Sequence, residues 1–188
     1  MAVLVSGCGD DEAPASLHGS RLDPPFSVSG TELVDTDGEP YSLAADTDRP
    51  LTLVFFGYTH CPDICQVVMA NLASAIKRLD EADREQVEVV FVTTDPERDT
   101  GPALRRYLDR FDTTFVGVTG DLDDIDEVGS SIAVGMGEQL PSGGYEVDAH
   151  STHVTGIDAD DEAPVYWSQE TSSAEFADDV HTLLGAAR

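Results

Sequence analysis

The residues best suited to chemistry are two cysteines four positions apart, Cys61 and Cys65, in the string Phe55-Phe56-Gly57-Tyr58-Thr59-His60-Cys61-Pro62-Asp63-Ile64-Cys65. Four residues is about one helical turn, so on a helix both sulfurs face the same way. The apolar run Leu51–Phe56 reads as a buried strand and the stretch after the pair as a helix. The cysteines therefore sit at a strand-to-helix turn, near a helix N-terminus, where the dipole and free N–H groups favour thiolate over thiol. Thiolates exchange disulfides and bind soft metals. The bland alternative, two inert buried cysteines, fits poorly with a turn flanked by Pro62 and Asp63.

The elements that must position this pair can be read from hydrophobic periodicity. Residues 1–22 read as a leader and flexible tether, with one domain over 23–188. Phe26–Leu43 alternates around the turn signal Asp35-Thr36-Asp37-Gly38 and predicts a β-hairpin ahead of the core. Helices are expected over Asp63–Glu81, Gly101–Phe111, Leu122–Val134 and Ser172–Leu184, and strands over Leu51–Phe56, Val87–Thr93 and Thr114–Val118. Gly135–Gly144 reads as a loop, followed by an antiparallel pair, His150–Ile157 and Pro164–Trp167. The order predicts one α/β sheet, parallel strands first and an antiparallel pair last. The cysteines then lie at the C-terminal end of a central strand, where such sheets place ligands.

Composition narrows the partners. The 188 residues carry 37 acidic and 10 basic side chains, a net charge of −27, and Lys77 is the sole lysine. The acids are spread along the chain, so they form a solvated coat that repels nucleic acid and anionic membranes. Self-repulsion this large calls for strong screening, which points to a halophilic, haloarchaeal source. No stretch approaches the ~18–20 apolar residues of a spanning helix. The third cysteine, Cys8, follows Val5-Ser6-Gly7 and resembles the lipobox of a lipoprotein, with Gly9–Ser16 as its tether. Met1–Gly7 lacks the positive charge and longer apolar run of a signal segment.

A two-sulfur copper site wants a third ligand, commonly imidazole. Of five histidines, His18 and His181 read as solvated or capping residues, and His60 could tune the adjacent thiolate or point to solvent. His150 and His153 are three apart on an expected strand, so at most one faces the cysteines.

Three motifs together resemble the Sco/SenC family, copper-binding members of the thioredoxin superfamily. They are Gly57–Cys65, Thr94-Asp95-Pro96-Glu97-Arg98-Asp99-Thr100 and Asp148-Ala149-His150-Ser151 with Ile157-Asp158 following, in the family's order across roughly residues 24–185. The resemblance implies a thioredoxin-like α/β fold, a central mixed sheet flanked by helices with an extra N-terminal hairpin. It also implies that Cys61, Cys65 and His150 hold one copper ion, Cu(I) or Cu(II). The implied recipient is the cytochrome c oxidase subunit that carries the binuclear copper site. With a lipid on Cys8, the place of action is the outer face of the cytoplasmic membrane. Two positions depart from the family pattern: Gln66 replaces the usual Pro, and Ala149 separates Asp148 from the histidine, which touches any role of Asp148 in orienting the ligand. The match also favours a structural role for Asp95, Arg98 and Asp99 close to the cysteines.

Two other activities use the same residues. A thiol–disulfide oxidoreductase would cycle Cys61 and Cys65 as a redox pair without His150, although three residues separate them where the thioredoxin motif has two. A peroxidase of the peroxiredoxin type needs Thr or Ser three residues before the reactive cysteine, and that position is Tyr58.

Overall fold

The computed structural model describes residues 16–47, 49–135 and 151–186. Its centre is β4, Leu51–Gly57, in which all seven residues are buried. It pairs in parallel with β5, Val87–Thr93, and antiparallel with β7, Val154–Asp158. β5 is a largely apolar run, as a strand covered on two faces tends to be, and β7 is buried over its first four residues. Five further strands complete the sheet. β6 (Val116–Thr119) continues in parallel beyond β5, and β2 (Leu33–Asp35) with β3 (Pro40–Tyr41) extends that side. On the other side β7 is followed by β8 (Glu162–Trp167) and β1 (Ser20–Ser27). The order is β1-β8-β7-β4-β5-β6-β2-β3, a mixed sheet of eight strands.

Helices α1 (Ile64–Arg78), α3 (Gly101–Leu108) and α5 (Ser173–Ala186) cover one face. Their apolar stripes meet Leu53, Phe55, Phe91 and Trp167 in a core that also contains both cysteines. α4 (Leu122–Ser131) covers the opposite face, packing Ile125 and Val128 on Val54, Phe56, Val90 and Val118. The architecture is the thioredoxin-like mixed α/β fold implied by the resemblance.

Several expected boundaries move, each for a local reason. The helix expected to reach Glu81 ends at Arg78, because Asp80 caps a new short helix, α2 (Glu81–Arg84), by accepting from the Asp83 N–H. Arg84 in turn donates to the carbonyls of Ile76 and Leu79, which α1 leaves open at its end. The hairpin forms as β2–β3, but it is an edge of the main sheet and not a separate unit. Phe26 belongs instead to β1, which begins inside the segment expected to be a tether. That strand escapes a period-2 reading because Asp23, Pro24 and Pro25 interrupt it, and its register slips between Arg21 and Phe26. His150–Ile157 is shorter than expected: the strand starts at Val154. Among the described residues no helix is long and apolar enough to cross a membrane.

Candidate metal centre

Gly57 ends β4, and the chain turns through Tyr58–Asp63 into α1. A Cβ on Gly57 would lie 3.0 Å from the Cys65 sulfur and 3.1–3.2 Å from the Phe55 and Phe91 rings. Glycine therefore lets the first turn of α1 seat its cysteine against the strand. Cys61 and Cys65 are not joined by a disulfide, and both are buried. The Cys65 N–H points at the Cys61 sulfur, 3.4 Å away, a donor that suits a sulfur carrying negative charge. The hydrogen bond with Cys61, followed by burial, pushes the Cys65 thiol well up from its ordinary value. A metal that takes this sulfur must displace its proton.

The loop is held from behind by Asp99, which is 0% exposed. Its carboxylate accepts from the Thr59 N–H (2.8 Å), the Thr59 hydroxyl (2.6 Å) and the Thr93 hydroxyl (2.8 Å). Thr93 is the last residue of β5, so Asp99 ties the cysteine loop to the end of the neighbouring strand. The Thr94 N–H adds a 2.7 Å bond to the Gly57 carbonyl. Asp95 and Arg98 form an ion pair with each other, and Asp99 makes the contact with the loop itself, the structural role expected of this segment. Tyr58 is buried next to the pair, and burial with the cysteine charges raises its phenol.

The histidines separate clearly. The side chain of His60 is 66% exposed and its Nδ1 meets the Thr59 hydroxyl at 3.0 Å, so it faces away from the sulfurs toward solvent and the Asp99 network. His153 is half-buried against the Tyr166 ring, 5.4 Å between centroids, and burial lowers its pKa. His181, expected to be solvated or capping, instead bonds the buried Asp83 at 2.5 Å. His18 keeps an exposed ring, while its backbone N–H donates to Asp179. Cys8, Asp148, Ala149 and His150 lie outside the described residues, as does most of the expected loop Gly135–Gly144. The residues that bracket that segment are joined: Ser151 N–H donates to the Gly135 carbonyl at 2.9 Å, and Gly135 N–H to the Ser151 hydroxyl at 3.2 Å. Ser151 stands three residues ahead of Val154, whose partner in β4 is Phe55, so it is at the thiol end of the sheet. Among the described residues no group of three or more His, Cys, Asp or Glu side chains could hold a metal ion.

Sequence reasoning missed Thr59 and Thr93 as the ligands of Asp99. The motif containing Asp99 was visible, but its partners are 40 and 6 residues away and only the β4–β5 register brings them together. Two thiols one turn apart are a soft donor pair, suited to Cu(I) and to disulfide exchange alike.

Comparison with known proteins assigns the lineage. A mitochondrial SCO2 homolog of Bos taurus is 33% identical over 147 residues, 77% of this chain and 55% of that protein. The chain thus spans about half the length of that curated relative. The solution structure of apo Sco1 from Thermus thermophilus superposes with a TM-score of 0.77 at 25% identity, covering 91% of this chain and 99% of the other. The copper-bound crystal structure of ScoI from Arabidopsis thaliana gives 0.73, also at 25% identity, covering 85% and 98%. The SCO1/SenC family model matches residues 18–185, and the chain belongs to the SCO1/SenC family.

Proposed function

We propose that this protein is a copper carrier in which Cys61, Cys65 and His150 hold one ion, Cu(I) or Cu(II), for delivery to the binuclear copper site of a cytochrome c oxidase subunit. The observation that carries the reading is the pair of reduced, buried thiols at the β4–α1 turn, locked to β5 through Asp99. Two sulfurs fit a soft ion, and an imidazole completes a three-ligand set. His150 is the supported third ligand because it directly precedes Ser151, at the thiol end of the sheet, while His60 faces solvent. The structure of the Arabidopsis thaliana relative is copper-bound, which supports the cargo. Copper is here what the protein carries; its own residues supply the donors and the fixed loop geometry.

The test is a titration of the fully reduced protein at high salt. Cu(II) is followed by sulfur-to-copper charge-transfer bands and Cu(I) by a competing chelator. One-to-one binding is expected, greatly weakened in Cys61→Ser, Cys65→Ser and His150→Ala. Unchanged stoichiometric binding by His150→Ala sinks that ligand assignment. Nonspecific binding by the folded wild-type chain sinks the carrier reading and turns the pair into a disulfide-exchange centre.

The place of action in this reading is the outer face of the cytoplasmic membrane, with a lipid on Cys8. The mass of the mature protein from its host reports that lipid directly. The acidic coat is, in the same reading, an adaptation to concentrated salt. Far-UV circular dichroism is expected to fade in salt-free buffer, and a full signal there contradicts it.

A further inference from the structure

Away from the cysteines, a second carboxylate is buried with an unusual set of partners. Asp179 of α5 is 2% exposed. It accepts from the Trp167 indole N–H at 2.7 Å, the Gly19 N–H at 2.8 Å and the His18 N–H at 3.0 Å. Two of the three donors are backbone groups of the segment that leads into β1. Gly19 is pressed on the indole so closely that a Cβ would lie 2.5 Å from its nitrogen. Leu17 packs on the core just before it. The N-terminal segment is therefore clasped to α5 and Trp167 before it enters the sheet.

The register says where this clasp is. Ser20 pairs with Tyr166, Trp167 with Val154, and Val154 with Phe55. Gly19 thus stands in the same row as Phe55, at the end of the sheet from which the chain turns toward Cys61. Three interstrand steps of about 4.8 Å put it roughly 14 Å from β4. The opposite end of the sheet carries Leu51, Val87 and Asp158. From Cys8 to Ser16 there are eight residue steps, at most about 29 Å when extended, while a domain of this size is about 40 Å across.

We propose that the Asp179 clasp fixes the exit of the N-terminal segment at the thiol end of the sheet, so that this end faces the lipid surface to which the segment is anchored. The inference rests on the anchoring reading given above. A clasp at this end keeps the cysteine loop near the membrane face. Released, the segment would gain length and the domain could turn its far end to the bilayer. The net charge of −27 requires that the surface be neutral, or the solution concentrated in salt, for such an approach.

The test uses the chain with a six-histidine tag replacing residues 1–7, Cys8→Ser, Cys61→Ala and Cys65→Ala, held on phosphatidylcholine vesicles through a nickel-chelating lipid at high salt. A fluorophore is placed on a single new cysteine, either at Glu97 near the thiol end or at Glu85 near the other; both positions are exposed. Energy transfer to a headgroup dye is expected to be at least about twofold greater from position 97, given the size of the domain. The ratio is expected to fall toward one in Asp179→Ala and in Gly19→Ala, whose methyl has no room beside the indole. Circular dichroism identifies a variant that has lost its fold, and the wild-type ratio stands independently of both. Equal transfer from the two positions, or more from 85, overturns the orientation; an unchanged ratio in folded variants overturns the role of the clasp. Attachment through the tag makes the result independent of copper and of Cys8, so a native Cys8 without lipid sinks only the anchoring reading.

Discussion

Asp99 and Asp179 are both almost fully buried, and each accepts three hydrogen bonds, yet they hold different kinds of structure. Asp99 fastens a short turn to the end of a neighbouring strand, and two of its three donors are threonine hydroxyls. Asp179 fastens one end of the chain to the other, about 160 residues apart, and two of its donors are backbone amides. The first network sets the position of the thiols to within a fixed loop geometry. The second sets where the chain leaves the domain. A side-chain donor can be altered singly by substitution, whereas an amide can be lost only by moving the backbone, so the two carboxylates should fail in different ways.

The largest effect is expected from Asp99→Ala. It strands the Thr59 amide and the buried Thr93 hydroxyl, and about 3 kcal/mol of stability should go. Urea unfolding at high salt measures it, and copper affinity should fall in parallel because the loop loses its anchor. A loss under about 1 kcal/mol would mean the loop is held by packing alone. Asp179→Ala should cost about 2 kcal/mol, less because the amides of residues 18 and 19 can turn to water, and copper affinity should not change. Equal loss of copper binding in both variants would erase the distinction between the two networks. Thr93→Val removes one of the Asp99 donors and should cost about 1 kcal/mol, with a smaller loss of copper affinity than Asp99→Ala.

The smallest effect belongs to a residue outside both networks. Burial lowers the pKa of His153, so the folded protein resists protonating it while the unfolded chain binds a proton below about 6.5. Its contribution to stability is complete above that pH and is lost as the pH falls through the lower folded value. His153→Gln should flatten this part of the acid limb. An unchanged acid limb would show that the carboxylates alone account for it.

Local signals made much of this legible in the sequence. The β4–α1 turn carries its own glycine, proline and cysteine spacing, and β5 is one continuous apolar run, so strand, turn and helix follow from neighbours in the chain. What could not be read depends on register. Asp179 stands three residues after Phe176 and next to Val180, a carboxylate on a helix face that is otherwise apolar, which was a sign of a buried partner but not of which one. The partner of His181 is Asp83, 98 residues away, and the periodicity of either helix says nothing of the other. β1 is hidden by its own prolines and becomes a strand only because β8 supplies an edge.

Trp167 is the one tryptophan of the chain, and its indole is shared between Asp179 and Gly19. The emission of the whole protein therefore arises beside the N-terminal segment. Unseating that segment admits water to the ring and moves the spectrum to the red, so an unlabelled sample in a plain fluorimeter can follow the docking of its own tether in real time.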